Sequence, residues 1–152
     1  MITGKIVGVC ISNRKGIPKK NVHSAYLEVG KGLKGDAHSG PGPRQVSLLA
    51  RDSIDKMRRK GYKLAEGSFA ENLTTEGIDL KNLAIGTEIR IGKTVLLRVT
   101  QIGKECHTKC AIFRKIGECI MPVEGIFAEV LQSGEIEIGD RIEILNNNTD
   151  LN

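Results

Sequence analysis

Residues 85–102 read IGTEIRIGKTVLLRVTQI, and this stretch decides the fold class. In Ile85–Ile91 and again in Thr94–Ile102, apolar and polar residues alternate, which is the period of a strand with one face buried. Gly92-Lys93 separates the two runs, at the spacing of a tight hairpin turn. A helix would need its apolar residues three and four apart, and these are two apart.

The same pattern extends outward in both directions. Toward the C-terminus, Ile136–Leu145 (IEIGDRIEIL) alternates in the same style and predicts one closing strand. Toward the N-terminus, strands are predicted at Asn72–Thr75, Gln45–Leu49, Ala25–Val29 and Gly4–Ser12, the last (GKIVGVCIS) apolar enough to be buried on both faces. A basic turn, Asn13–Lys20, follows the first strand, with Gly16 and Pro18 as breakers.

Helices are few and short. Asp52–Lys60 predicts one, with Ile54 and Met57 on one face, Asp52 as cap and Gly61 as exit. Ser68-Phe-Ala-Glu71 has the form of a capping box and predicts a single helical turn. Pro122–Gln132 predicts the clearest helix, because Val123, Ile126, Phe127, Val130 and Leu131 recur at i, i+3, i+4, i+7 and i+8. Many short strands with a few short helices make the chain mainly β. The expected architecture is a small closed or partly closed β-barrel with peripheral helices.

Composition agrees with one folded domain. The 152 residues are 39% hydrophobic and 27% charged, with 18 glycines and no tryptophan. A single domain is expected over residues 1–145, followed by a polar, frayed tail at residues 146–152. No apolar run reaches the length of a membrane span, and Met1–Cys10 is too short and interrupted for the apolar region of a signal peptide. A cytoplasmic location with reduced cysteines is therefore expected, and no membrane partner. The net charge of +5 and pI near 9.1 suit an anionic ligand as well as a merely solvated surface. Aromatic residues are only 3% and are not interleaved with basic ones, so a single-strand nucleic-acid groove is not expected.

Two segments carry candidate chemistry. The first is the glycine-rich loop Gly30–Pro43, GKGLKGDAHSGPGP, followed by Arg44. Its glycines permit backbone N–H groups to face an anion. Lys34, Gly35, Asp36, His38 and Arg44 are the candidate contacts, with Asn72 and Thr74 as further polar groups, and ordinary turn chemistry is the competing explanation. His23 has no identifiable partner in the sequence. The second segment is Gly103–Cys119, GKECHTKCAIFRKIGEC, which holds three of the four cysteines. Lys104, Lys109, Arg114 and Lys115 surround the thiols, and nearby cations favour the thiolate, the form that binds soft metals and accepts sulfur. Cys110 stands where the basic stretch meets Ala-Ile-Phe, with Cys106 and Cys119 as secondary candidates. Cys106, His107, Cys110 and Cys119 also offer four zinc ligands, spaced C-H-x2-C-x8-C, so a zinc- or anion-binding barrel without chemistry stays open. Cys10, inside the first strand, reads as a small buried hydrophobe.

GLKGDAHSG followed by RQVSLL, GSFAENLTTEGIDL, IGTEIRIG, CHTKCAIF and GECIMPVEGIFAEVL occur in that order, and together they resemble the MOSC family, named for the C-terminal domain of molybdenum cofactor sulfurase. The resemblance runs over nearly the whole chain and is to small stand-alone prokaryotic members. It implies a pyruvate-kinase-barrel-like fold. It also implies binding of molybdenum cofactor, a pterin dithiolene carrying a phosphate, or carriage of sulfur as a persulfide. On that resemblance Cys110 is the molybdenum ligand or sulfur carrier, and Lys109 lies among the cofactor contacts. Partners would be the cofactor, a sulfur donor such as a cysteine desulfurase, and for a reductase of N-hydroxylated compounds an electron-donor protein. Pyridoxal phosphate belongs to a separate sulfurase domain and is not expected here. Reductase, sulfur transferase and carrier remain open.

Overall fold

A computed structural model describes residues 2–103 and 120–146. The element order is β1 (Thr3–Ile11), β2 (Lys20–Asn21), β3 (Ser24–Glu28), β4 (Gly32–Leu33), β5 (Val46–Ala50), α1 (Arg51–Arg58), β6 (Leu73–Glu76), a 3-10 turn (Leu80–Asn82), β7 (Glu88–Ile91), β8 (Val95–Ile102), α2 (Met121–Glu124), β9 (Ile126–Gln132), β10 (Gly134–Glu137) and β11 (Arg141–Asn146).

The main sheet runs β11-β7-β8-β9-β5-β6-β1-β2, and the pairing of β11 with β1 closes its first seven strands into a barrel. Strand β1 is long enough to serve two neighbours on one side. Thr3–Lys5 pair with β11, and Cys10–Ile11 pair with β2. A second sheet of three strands runs β10-β3-β4.

The hairpin of β7 and β8 forms at the predicted place, with Ile91 opposite Val95 and Gly92 at φ +60. Alternation then decides what is inside. Ile89, Ile91, Val95, Leu97 and Val99 join the barrel core, whereas Arg90 and Arg98 stay out of it. Each such side chain removed from water contributes about 1.5–3 kcal/mol before entropy is subtracted.

Among the described residues the β5–β6 pair is the one parallel pair in the barrel, so the chain between them must cross over. Helix α1 makes that crossing on the outside. Leu48 points into the barrel, while its neighbour Leu49 points out and packs with Ile54, Met57, Phe69, Met121 and Phe127 in a second, smaller core. The helix starts at Arg51 with Ala50 as cap residue and no side-chain cap bond, so Asp52 lies in the first turn rather than capping it. Gly61, at φ +100, stands just past the helix end as expected.

Three further sequence expectations are corrected. Pro122–Gln132 is not a helix: α2 stops at Glu124, Gly125 is extended, and Ile126–Gln132 is β9. Residues Ile126, Ala128 and Val130 face the barrel core while Phe127 faces the outer one. A strand between two cores buries both faces, and its apolar residues then fit a helical period by coincidence. Ile136–Leu145 is two strands, because Gly139 (φ +98) and Asp140 make a turn that sends β10 to the small sheet and β11 to the barrel. The capping box does not start a helix. Residues 66–69 are turns, and Ser68 Oγ accepts from Ala65 N (2.8 Å). Glu71 instead folds its carboxylate back onto Gly67 N and Phe69 N. Asn146 still pairs with Glu88 in β11, and residues 147–152 lie outside the described residues.

Candidate functional site

The glycine-rich loop encloses a buried ion pair. Lys19, which leads into β2, reaches Asp36 with Nζ 2.8 Å from Oδ1, and both side chains are 0% exposed. Lys19 Nζ also lies 3.0 Å from Ser12 Oγ and 3.0 Å from Nδ1 of His38. The Asp36 carboxylate accepts from Ser12 N on Oδ1 and from His38 N on Oδ2, both at 3.0 Å. Burial alone would push this carboxyl up. The Lys19 ammonium, the Ser12 amide and Asn72 outweigh it and hold Asp36 below the usual carboxylate range.

Sequence reasoning read Lys19 only as part of a basic turn. Its one visible signal is a positive charge beside Pro18, close to the first strand's exit, and that does not separate a buried lysine from an exposed one.

The loop's backbone is largely self-bonded. The N–H groups of Lys34, Asp36, Ala37, His38, Ser39 and Gly40 bond respectively to Tyr26 O, Leu33 O, Ser12 O, Asp36 Oδ2, Asp36 O and Lys31 O. A ligand approaching this loop therefore meets side chains more than a row of open N–H groups. Lys34 and Gly35 are exposed, and the His38 side chain is 27% exposed.

Arg44, at the loop's base, is exposed. Its Nε donates to Gln101 Oε1 (3.1 Å), and its guanidinium stands 5.3 Å over the Phe127 ring. Beside it, Thr100 Oγ1 donates to Pro43 O, and Gln101 Nε2 donates to Gly103 O at 2.9 Å. The loop base is thus bonded to the last residues of β8, from which the chain continues into the cysteine segment.

Asn72 and Thr74 are fully buried and already bonded. Asn72 Oδ1 accepts from Ser47 N (3.0 Å), and its Nδ2 donates to Cys10 O (3.1 Å), tying β6 to β5 and β1. Thr74 Oγ1 donates to Glu71 Oε2 at 2.6 Å. Burial pushes the Glu71 carboxyl up in spite of this bond and those from Gly67 N and Phe69 N. A ligand could use Asn72 or Thr74 only by displacing these contacts. His23 is exposed at φ +70, its N–H bonded to Asn21 Oδ1.

Lys104, Cys106, His107, Lys109, Cys110 and Cys119 lie outside the described residues. Where the chain returns, Glu124 of α2 is buried. Burial raises its carboxyl, but Lys56, Ser53 and Lys81 hold it below the usual value. Ser53 Oγ donates to Glu124 Oε1 at 2.6 Å, so α1 and the 3-10 turn fix the point of return.

Cys10 is fully buried in β1, and burial first, then Glu71 and Glu66, raises its thiol far above the usual range. It is expected to react with iodoacetamide at neutral pH at least about 100-fold more slowly in the folded protein than in urea. Comparable rates in the two conditions would contradict its placement. No group of three or more candidate metal-ligating side chains occurs among the described residues, and no described helix is long and apolar enough to cross a membrane.

Comparison with known proteins bears on the family. The crystal structure of the YuaD protein from Bacillus subtilis matches with a TM-score of 0.77 and 20% identity, covering 92% of this chain and 94% of that one. The structure of YiiM from Escherichia coli matches with a TM-score of 0.69 and 19% identity, covering 97% of this chain and 71% of that one. At such identities these likenesses establish the fold. Uncharacterized protein YflK of Bacillus subtilis (strain 168) is 26% identical over 142 residues, 86% of this chain. The chain spans 63% of that relative's length. The profile described as MOSC domain matches residues 34–143, from the glycine-rich loop through the closing strand of the barrel. The chain belongs to the MOSC domain family.

Proposed function

We propose that this MOSC domain handles molybdenum cofactor or its sulfur, with Cys110 as the group that ligates molybdenum or carries a persulfide. The observation that supports the reading most is the bonding of the loop base to the end of β8. Pro43 and Arg44 contact Thr100 and Gln101, so the cationic loop is held against the end of the strand from which the sequence runs on into the cysteine segment.

The described residues fit an anionic group through side chains. Arg44 and Lys34 are exposed cations, and Arg44 has a forked donor set suited to phosphate. The backbone of residues 34–40 fits it less well, because its N–H groups are largely bonded within the protein. Arg44 and Lys34 would hold the cofactor's phosphate, with Lys109 as a further contact, and Cys110 would supply the thiolate. The bound cofactor would supply a redox-active molybdenum centre. In the carrier form, the Cys110 thiolate attacks the outer sulfur of a donor persulfide, the donor's thiolate leaves, and Cys106 or Cys119 can later resolve the new persulfide by exchange. A cysteine desulfurase is the natural donor, and an electron-donor protein is needed only if the domain works as a reductase.

The test is molybdenum and pterin content after anaerobic purification from a host that makes the cofactor, with Cys110→Ser in parallel. Loss of about 90% or more of the molybdenum in Cys110→Ser is expected, or, where the wild type holds none, loss of persulfide loading from a desulfurase. Equal molybdenum and equal persulfide in the two proteins would refute the assignment, and zinc near one per chain would favour a structural module.

A further inference from the structure

We propose that the cleft beyond the C-terminal end of α1 binds a phosphate monoester with a small apolar body, through the Lys63 ammonium, the Arg58 guanidinium and the Ser68 hydroxyl. None of its described lining residues belongs to the glycine-rich loop or the cysteine segment.

The cleft is open to solvent, holds about 620 Å³ and is lined by Arg58, Tyr62, Lys63, Leu64, Ala65 and Ser68. Sites for small organic molecules run from about 300 to 1,000 Å³. Local bonding sets its walls. Gly61, at φ +100, turns the chain after α1, and its N–H bonds Arg58 O at 2.9 Å. Tyr62 and Leu64 then pack half-buried against the second core. Arg58 Nε donates to Leu64 O (3.0 Å) and Nη1 to Asp55 Oδ1 (2.6 Å), so its guanidinium is held in place.

The groups that the lining leaves available are all of one kind. The carbonyls of Arg58, Leu64 and Ala65 already accept, from Gly61 N, Arg58 Nε and Ser68 N respectively. The nearby carboxylates are engaged as well, Asp55 with Arg58 and Glu66 with Arg51. Lys63 is exposed, and its ammonium has no hydrogen-bond or ion-pair partner among the described residues. Arg58 Nη2 is used by neither Leu64 nor Asp55. Ser68 Oγ accepts from Ala65 N at 2.8 Å, and no acceptor among the described residues takes its own proton. From residue 56 to residue 65 the chain carries five cations and no carboxylate. An occupant must therefore bring acceptors and negative charge. An ammonium, a guanidinium and a hydroxyl outnumber the two oxygens of a carboxylate, and match the three terminal oxygens of a phosphate monoester. Tyr62, Leu64 and Ala65 add apolar surface that inorganic phosphate cannot use.

Titration of the full chain with phenyl phosphate, followed by backbone amide chemical shifts, tests the site. Saturable shifts are expected in residues 58–68, with an affinity about fivefold or more above that for inorganic phosphate. Lys63→Gln, at an exposed position, is expected to weaken phenyl phosphate binding about fivefold. Lys93→Gln, which removes another exposed cation from the β7–β8 turn, is expected to leave it unchanged. Absence of shifts in residues 58–68 would overturn the proposal. Equal weakening in the two variants, or equal affinity for phenyl phosphate and inorganic phosphate, would also overturn it, because either result describes diffuse surface charge and not a site. Shifts confined to residues 30–44 would do the same by placing the phosphate on the glycine-rich loop. Every variant keeps Cys110, so none of these results bears on molybdenum or persulfide there.

Discussion

Asp36→Ala is expected to lower the unfolding free energy by about 3–5 kcal/mol, read from urea unfolding at neutral pH, because it leaves the Lys19 ammonium buried without its counter-charge. Both side chains of the pair are wholly buried, so neither solvent nor salt replaces the lost partner. The substitution also unbonds Ser12 N and His38 N. Lys19→Met/Asp36→Leu is expected to be far milder than Asp36→Ala, since it removes the desolvation penalty of both charges. A cost for Asp36→Ala within 1 kcal/mol of that of an exposed-site alanine substitution would show that the pair is not buried in solution.

The same pair sets an acid limb. Asp36 has a folded value below its ordinary 3.8, so the unfolded chain binds this proton more readily than the native one. Its contribution is complete above that ordinary value and is lost as pH falls through the depressed folded value. Glu124, also depressed, adds to the limb in the same direction from an ordinary 4.5. Stability should therefore fall steeply below about pH 4, and Asp36→Asn should flatten that fall. An unchanged slope in Asp36→Asn would show that other carboxylates carry it.

How much of this was legible depended on whether a segment had one buried face or two. Strands β7 and β8 expose one face, so Arg90 and Arg98 mark it and the hairpin can be read from the period alone. Strand β9 lies between the barrel and the outer core. Phe127 serves one and Ile126 the other, and nothing in IFAEVL separates that from a helix face. Val123, which completed the helical pattern, is 70% exposed, a mismatch visible only once the fold is known. Between β10 and β11 the break at Gly139-Asp140 was present in the sequence but was overridden by the alternation on both sides of it.

The site shows the same division. The turns of the loop and the exposed charge of Arg44 were legible because glycine, aspartate and arginine report on turns and charge. Asn72 and Thr74 were read as ligand groups, yet they join β6 to its neighbours and to Glu71, because a polar residue looks the same whether its partner is a ligand or a backbone carbonyl. Lys19 was illegible because its burial depends on Asp36, Ser12 and His38 closing over it from three separate positions in the chain.

Gly67→Ala is expected to cost about 2–5 kcal/mol, the sum of a left-handed backbone penalty and an overpacked contact. Gly67 has φ +90, and a Cβ there would lie 2.2 Å from Lys19 O and 3.1 Å from Cys10 Sγ. The near atom is backbone and cannot swing away. Gly67 O accepts from Lys19 N at 2.8 Å, so moving the two strands of chain apart breaks the bond that seats Lys19. Gly61 supplies the control. It has φ +100 with nothing within 4 Å of its Cβ position, so Gly61→Ala carries only the conformational part, about 1–2 kcal/mol. The difference between the two variants isolates the contact with Lys19. Equal costs for the two variants would mean that the turn at residues 66–69 does not press against Lys19.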